Sequence, residues 1–96
     1  MITTKQRAYL RGLAQNLSPI FQIGKNGIND NQVLQINDAL EAREIIKITL
    51  LDSTPDNKHS IANELAERTN SDVVQVIGKK ITLYKRSSKA PKIELP

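Results

Sequence analysis

The chain has 96 residues, 39% of them hydrophobic and 25% charged, with a net charge of +4 and no cysteine. That length holds one compact domain, residues 1–96, with a composition ordinary for a globular protein rather than a disordered one. The missing cysteines exclude disulfides, thiolate nucleophiles and cysteine-ligated metals, no apolar run approaches the roughly 20 residues of a membrane helix, and Met1-Ile2-Thr3-Thr4-Lys5 lacks the marks of a secretory signal, so a cytoplasmic location is expected.

Thr3 and Gln6 have capping-box spacing, and Leu10, Leu13, Ala14 and Leu17 recur at helical intervals, predicting a helix from Thr4 to Asn16. Ser18-Pro19 stops it. Ile20 to Ile23 reads as a short apolar strand ended by the loop Gly24-Lys25-Asn26-Gly27. A second helix opens at Asn29, where Asn29 and Gln32 repeat the capping arrangement, carries Val33, Ile36, Ala39 and Leu40 on its apolar stripe and fades near Arg43. Ile45 to Leu51 is rich in β-branched and apolar residues and reads as a central strand covered in part on both faces. A turn is expected from Asp52 to Asn57. Ile61, Ala62, Leu65 and Ala66 mark a third helix from Lys58 to Thr69. The runs Val73 to Ile77 and Ile81 to Lys85 bracket Gly78-Lys79-Lys80 as a hairpin. The tail from Ser87 to Pro96 reads as extended or mobile. The order α-β-α-β-α-β-β predicts an α+β fold, an α/β sandwich with helices packed on a mixed four-stranded sheet.

Charge is segregated along the chain. Residues 1–25 contain Lys5, Arg7, Arg11 and Lys25 and no acid, residues 26–75 carry nine acids against four bases, and the last 21 residues carry six bases against Glu94. If the two basic ends meet, they build a positive patch suited to phosphates while the acids face elsewhere.

Three groups of residues are candidates for contact with nucleic acid. The Gly24 to Gly27 loop lies between a strand end and a helix N-terminus, where free backbone amides and the helix dipole favour an anion. Its glycines permit close approach, Lys25 adds charge and Asn26 adds donors and an acceptor. A GxxG loop of this kind clamps nucleotide backbones in KH domains; the spacing does not fit a Walker loop. The hairpin supplies Lys79, Lys80, Lys85 and Arg86 with Tyr84 among them. Tyr84 has two readings: a ring free to stack on a base or sugar, or one packed beneath a covering helix. The first helix supplies Lys5, Arg7 and Arg11, the last two four residues apart on one face. With Tyr9, Phe21 and Tyr84 as the only aromatics, contacts to phosphate and sugar of structured RNA are favoured over sequence-specific stacking. No catalytic constellation, metal set or cofactor motif is evident, and the lone His59 reads as an exposed helix residue.

Together, Gly24-Lys25-Asn26-Gly27-Ile28, Glu44-Ile45-Ile46-Lys47-Ile48 and Val74-Gln75-Val76-Ile77-Gly78-Lys79 followed by Leu83-Tyr84 resemble the YhbY family, stand-alone bacterial CRM domains. The resemblance spans nearly the whole chain. It implies a fold similar to the C-terminal domain of a bacterial translation initiation factor, RNA as partner, no enzymatic activity, and association with precursors of the large ribosomal subunit in ribosome biogenesis. It gives the Gly24 to Gly27 loop an RNA-contacting role. Arg43 stands where the family often has histidine, and Arg86 follows Lys85 where arginine often follows tyrosine directly; both departures keep positive charge. A second reading is a protein-interaction adaptor that docks ribosomal proteins or assembly factors through the acidic middle.

Overall fold

The computed structural model describes residues 2–52 and 57–96, so the interior of the turn expected at Asp52 to Asn57 lies outside the described residues. The elements are α1 (Thr4–Ala14), β1 (Phe21–Ile23), α2 (Asp30–Arg43), β2 (Ile45–Leu50), α3 (Lys58–Thr69), β3 (Asp72–Ile77) and β4 (Lys80–Tyr84), the expected order. Side chains set the helix ends. At α1 the Thr3 hydroxyl accepts from the Gln6 amide and the Gln6 side chain accepts from the Thr3 amide, a complete capping box. At α2 the Asn29 side chain accepts from the Gln32 amide at 2.8 Å, but the second half of the expected box is absent. Gln32 instead donates to the Gln22 carbonyl at 3.0 Å and fastens the helix to β1. Asn57 caps α3, and Asn70, at φ 55°, closes it in the left-handed conformation that asparagine tolerates.

The sheet order is β1-β2-β4-β3. β1 runs parallel to β2, the strand it reaches through α2, and β4 inserts antiparallel between β2 and β3. Alternation along the strands then sorts the core into two layers. On one face Ile46, Ile48 and Leu50 of β2 and Ile81 and Leu83 of β4 meet Ile36 and Leu40 of α2 and Ile61 and Leu65 of α3. On the other, Ile45, Val74 and Tyr84 meet Leu10 and Ala14 of α1, with Ile2 beside them. Helices α2 and α3 therefore cover one face, α1 and the tail cover the Ile45 and Tyr84 end of the other, and β2 is a central strand paired on both sides.

The tail has neither helix nor strand, yet it is tied down along its length. Glu44 sits in the sharp turn from α2 to β2 at φ 67°, and its side chain is fully buried. Its carboxylate accepts from the amides of Ser87, Lys92 and Ile93. Glu41, one turn earlier on α2, accepts from the Ser87 and Ser88 hydroxyls and the Ser88 and Lys89 amides. These bonds lay Ile93 and Leu95 against the second core layer, and Gln6 of α1 donates to the Pro96 carbonyl at 3.2 Å.

Burial alone would raise the Glu44 pKa, but the three amide donors and the nearby Arg86 outweigh it and hold the carboxyl below its ordinary 4.5. A carboxyl depressed in the folded state contributes stability above its unfolded pKa and loses it as pH falls through the folded value. Glu44→Gln is therefore expected to destabilise the protein by about 2 kcal/mol at neutral pH, with the difference from wild type shrinking as pH drops below 4.5. Urea unfolding of both proteins across the acid range checks this; a difference that stays constant into strong acid contradicts it. The Glu41 carboxyl is also lowered, chiefly by the Ser88 hydroxyl.

Candidate nucleic-acid interface

Because β1 is parallel to β2 and β4 antiparallel to it, the end of β1, the end of β2 and the start of β4 lie at one end of the sheet. The Leu51 amide donates to the Ile23 carbonyl at 2.8 Å, and the Leu50 amide to the Lys79 carbonyl at 2.6 Å. The Gly24 to Gly27 loop and the Gly78-Lys79 turn thus flank the end of β2, on strands two places apart, roughly 10 Å by ordinary strand spacing.

The loop is a tight turn in which the Gly27 amide donates to the Gly24 carbonyl at 3.0 Å. Gly27 adopts φ 66°, a conformation that costs a residue with a Cβ energy and a glycine nothing. Lys25 and Asn26 are left exposed at the tip, just before the capped N-terminus of α2. The hairpin turn has the same logic. Ile77 pairs with Lys80, so Gly78 and Lys79 form a two-residue turn with glycine first at φ 57°, where primed hairpin turns require it. Lys79 and Lys80 are exposed, and Lys79 forms an ion pair with Asp52.

The remaining sequence candidates go elsewhere. Lys85 and Arg86 follow the other end of β4, about 17 Å from Lys80 at 3.4 Å per residue. The Lys85 ammonium lies 3.4 Å from the Asn37 side chain, while Arg86 helps line a concavity of about 820 Å³ beneath the tail. The stacking reading of Tyr84 is corrected: the residue is 4% exposed, packed with Leu10, Ala14 and Ile45, and has no open ring face to offer a base. Burial first, and the Glu44 charge second, push its phenol pKa up. On α1, Lys5 and Arg11 are exposed, whereas Arg7 is half-buried and donates to the Val73 carbonyl at 3.2 Å, a role in holding α1 to β3.

Acidic side chains concentrate on the opposite layer. Asp30, Asp38 and Glu41 belong to α2, Glu64 and Glu67 to α3, and Glu44 to the turn after α2. The helix acids lie mostly on this layer, while Asp30 stands exposed in the first turn of α2 beside the Gly24 to Gly27 loop, Asp52 pairs with Lys79, and Glu41 and Glu44 turn toward the tail. Among the described residues no group of histidine, aspartate and glutamate could hold a metal ion, and no helix is long and apolar enough to cross a membrane.

The loop glycine carries conformation and the loop tip does not, which separates folding from binding by mutation. Gly27→Ala is expected to cost about 1–2 kcal/mol from the positive φ, whereas Lys25→Ala and Asn26→Ala should stay within about 0.5 kcal/mol of wild type. Chemical denaturation measures all three; a Lys25→Ala loss as large as that of Gly27→Ala contradicts this division.

Comparisons with known proteins give the chain's family and fold. The chain is 48% identical over its full length, and that of its relative, to the Bacillus subtilis (strain 168) "Probable RNA-binding protein YqeI". It is 36% identical to an "RNA-binding protein" of Haemophilus influenzae, covering 99% of this chain and 95% of that one. The solution structure of a Staphylococcus aureus protein, described as a candidate RNA binder, superposes with a TM-score of 0.85 at 52% identity, each chain covered completely. Residues 2–85 match the CRS1 / YhbY (CRM) domain, and the chain belongs to that family.

Proposed function

We propose that the chain is a non-enzymatic protein that binds structured RNA, gripping the phosphate backbone with the loop end of its sheet. The observation that carries this reading is the meeting of two turns at that end, one exposing Lys25 and Asn26, the other Lys79 and Lys80. Cations, amides of tight glycine turns and a capped helix N-terminus all favour an anion. The exposed acids farther along α2 and on α3, Asp38, Glu64 and Glu67, disfavour approach of a polyanion to the helix layer. Membership of the CRM family and the names of the relatives support RNA as the polyanion.

The resemblance to the YhbY family extends the proposal to a role in assembly of the large ribosomal subunit, with ribosomal RNA or a precursor particle as the partner. The loop would hold one stretch of backbone and the hairpin lysines a second, which suits a folded RNA read by shape. An adaptor reading keeps one observation in its favour, Leu34, a leucine of α2 that is 65% exposed on the acidic layer.

Lys25→Glu combined with Asn26→Glu should weaken binding to large-subunit ribosomal RNA by at least about tenfold, since each charge-assisted contact contributes about 1.5–3 kcal/mol. Wild-type affinity should fall steeply with salt. Fluorescence anisotropy over a salt series checks both. Binding unchanged by the double substitution contradicts the loop assignment. Absence of wild-type binding at low salt contradicts the RNA reading, and a pull-down of ribosomal proteins lost on Leu34→Asp would then favour the adaptor.

A further inference from the structure

The sheet register exposes a second surface that lies outside the sequence motifs. On the face that carries α1, the pairing aligns Gln22, Thr49, Lys80 and Ile77 in one row across all four strands. The next row holds Lys47, Thr82 and Gln75. The third, with Ile45 and Tyr84, is the row that α1 and the tail cover. In the first row Gln22, Lys80 and Ile77 are exposed and Thr49 is half-buried; in the second, Lys47 and Gln75 are half-buried on either side of Thr82, which is 2% exposed. The first row of this sheet face is therefore open and the second reaches solvent through Lys47 and Gln75; together they border the Gly24 to Gly27 loop at one end and α1 at the other.

Lys47 is the residue that calls for explanation. Lysines commonly guard sheet edges against unwanted pairing, but Lys47 lies in the middle of β2, which is paired on both sides. It stands diagonal to Lys80, about 7–8 Å away by sheet geometry. Neither lysine forms an ion pair with another described residue, and these two rows contain no acid. Along α1, Arg7 and Arg11 share a flank. Arg7 reaches the Val73 carbonyl and Gln6 meets the tail, and Arg11, one turn beyond Arg7 on the same side of α1, is exposed. Cations without counter-charges, interleaved with the amides of Gln22 and Gln75 and the hydroxyl of Thr49, form a donor-rich floor. A flat surface of this kind suits the charged, oxygen-lined backbone of a nucleic acid.

We infer that the open part of the α1-side sheet face, centred on Lys47 and Lys80, is a second seat for the same RNA, carrying its phosphodiester backbone from the Gly24 to Gly27 loop toward Arg11. The inference rests on the proposed RNA-binding reading and adds the route of the strand and the residue Lys47. Contacts here are to phosphate and ribose, because the open rows offer no aromatic ring for a base.

The test compares Lys47→Gln/Lys80→Gln with Lys25→Glu/Asn26→Glu and the wild type, using a short fluorescein-labelled RNA hairpin and a series of salt concentrations. The sheet variant should lower the magnitude of the salt slope by about 1.4–1.8, at about 0.7–0.9 for each phosphate that is no longer neutralised. Amide chemical shifts of the wild type titrated with the same RNA should move at Gln22, Thr49, Thr82 and Gln75 as well as in the loop, and this readout decides the matter if the variant fails to fold. An unchanged slope, or shifts confined to the loop and hairpin turn, overturns the sheet seat while leaving the loop reading intact. No binding by the wild type at low salt overturns both.

Discussion

The register of β2 is the constraint on which the rest of the molecule depends. With β1 parallel on one side and β4 antiparallel on the other, three chain segments distant in sequence reach the same end of the sheet. The same six residues alternate between two cores: Ile46, Ile48 and Leu50 close the layer under α2 and α3, while Ile45 meets α1. A slip of one residue would exchange these faces, exposing isoleucines and driving Lys47 under the helices. Stability and the positioning of the basic turns are thus set by one pairing pattern.

Charge follows the same division into layers. The acids that dominate residues 26–75 lie mainly on α2 and α3 or in the turns beside them, and the basic residues of α1 and β4 lie on or toward the other face. Two acids depart from the pattern in a useful way. Glu41 and Glu44 turn toward the tail and satisfy its amides, so a segment with no regular structure is fixed at several points and covers the second core with Ile93 and Leu95. The buried Glu44 carboxylate replaces the missing strand or helix partners that the tail backbone would otherwise need.

Much of this was legible in the sequence wherever local chemistry decides. Thr3 and Asn29 begin helices because their side chains cap free amides, and Gly27 and Gly78 turn because they accept positive φ. What depends on distant contacts was not legible. Thr82 and Tyr84 share one face of β4, but only the packing of α1 and the tail makes the Tyr84 end of that face interior. Glu44 resembles a surface acid until its tail partners are known. Lys47 sits inside an apolar run whose strand character masks its charge. The hairpin bases read as one cluster in sequence, yet a strand of five residues holds Lys80 and Lys85 at opposite ends.

The central claim is that RNA meets the loop end and the α1 side of the sheet, with the acidic helices turned away. Ultraviolet crosslinking of the protein to RNA in intact cells, followed by mass spectrometry of the crosslinked peptides, tests it directly. Crosslinks are expected in the segments containing Lys25, Lys47 and Lys79-Lys80. Crosslinks confined to α2 and α3 would contradict it.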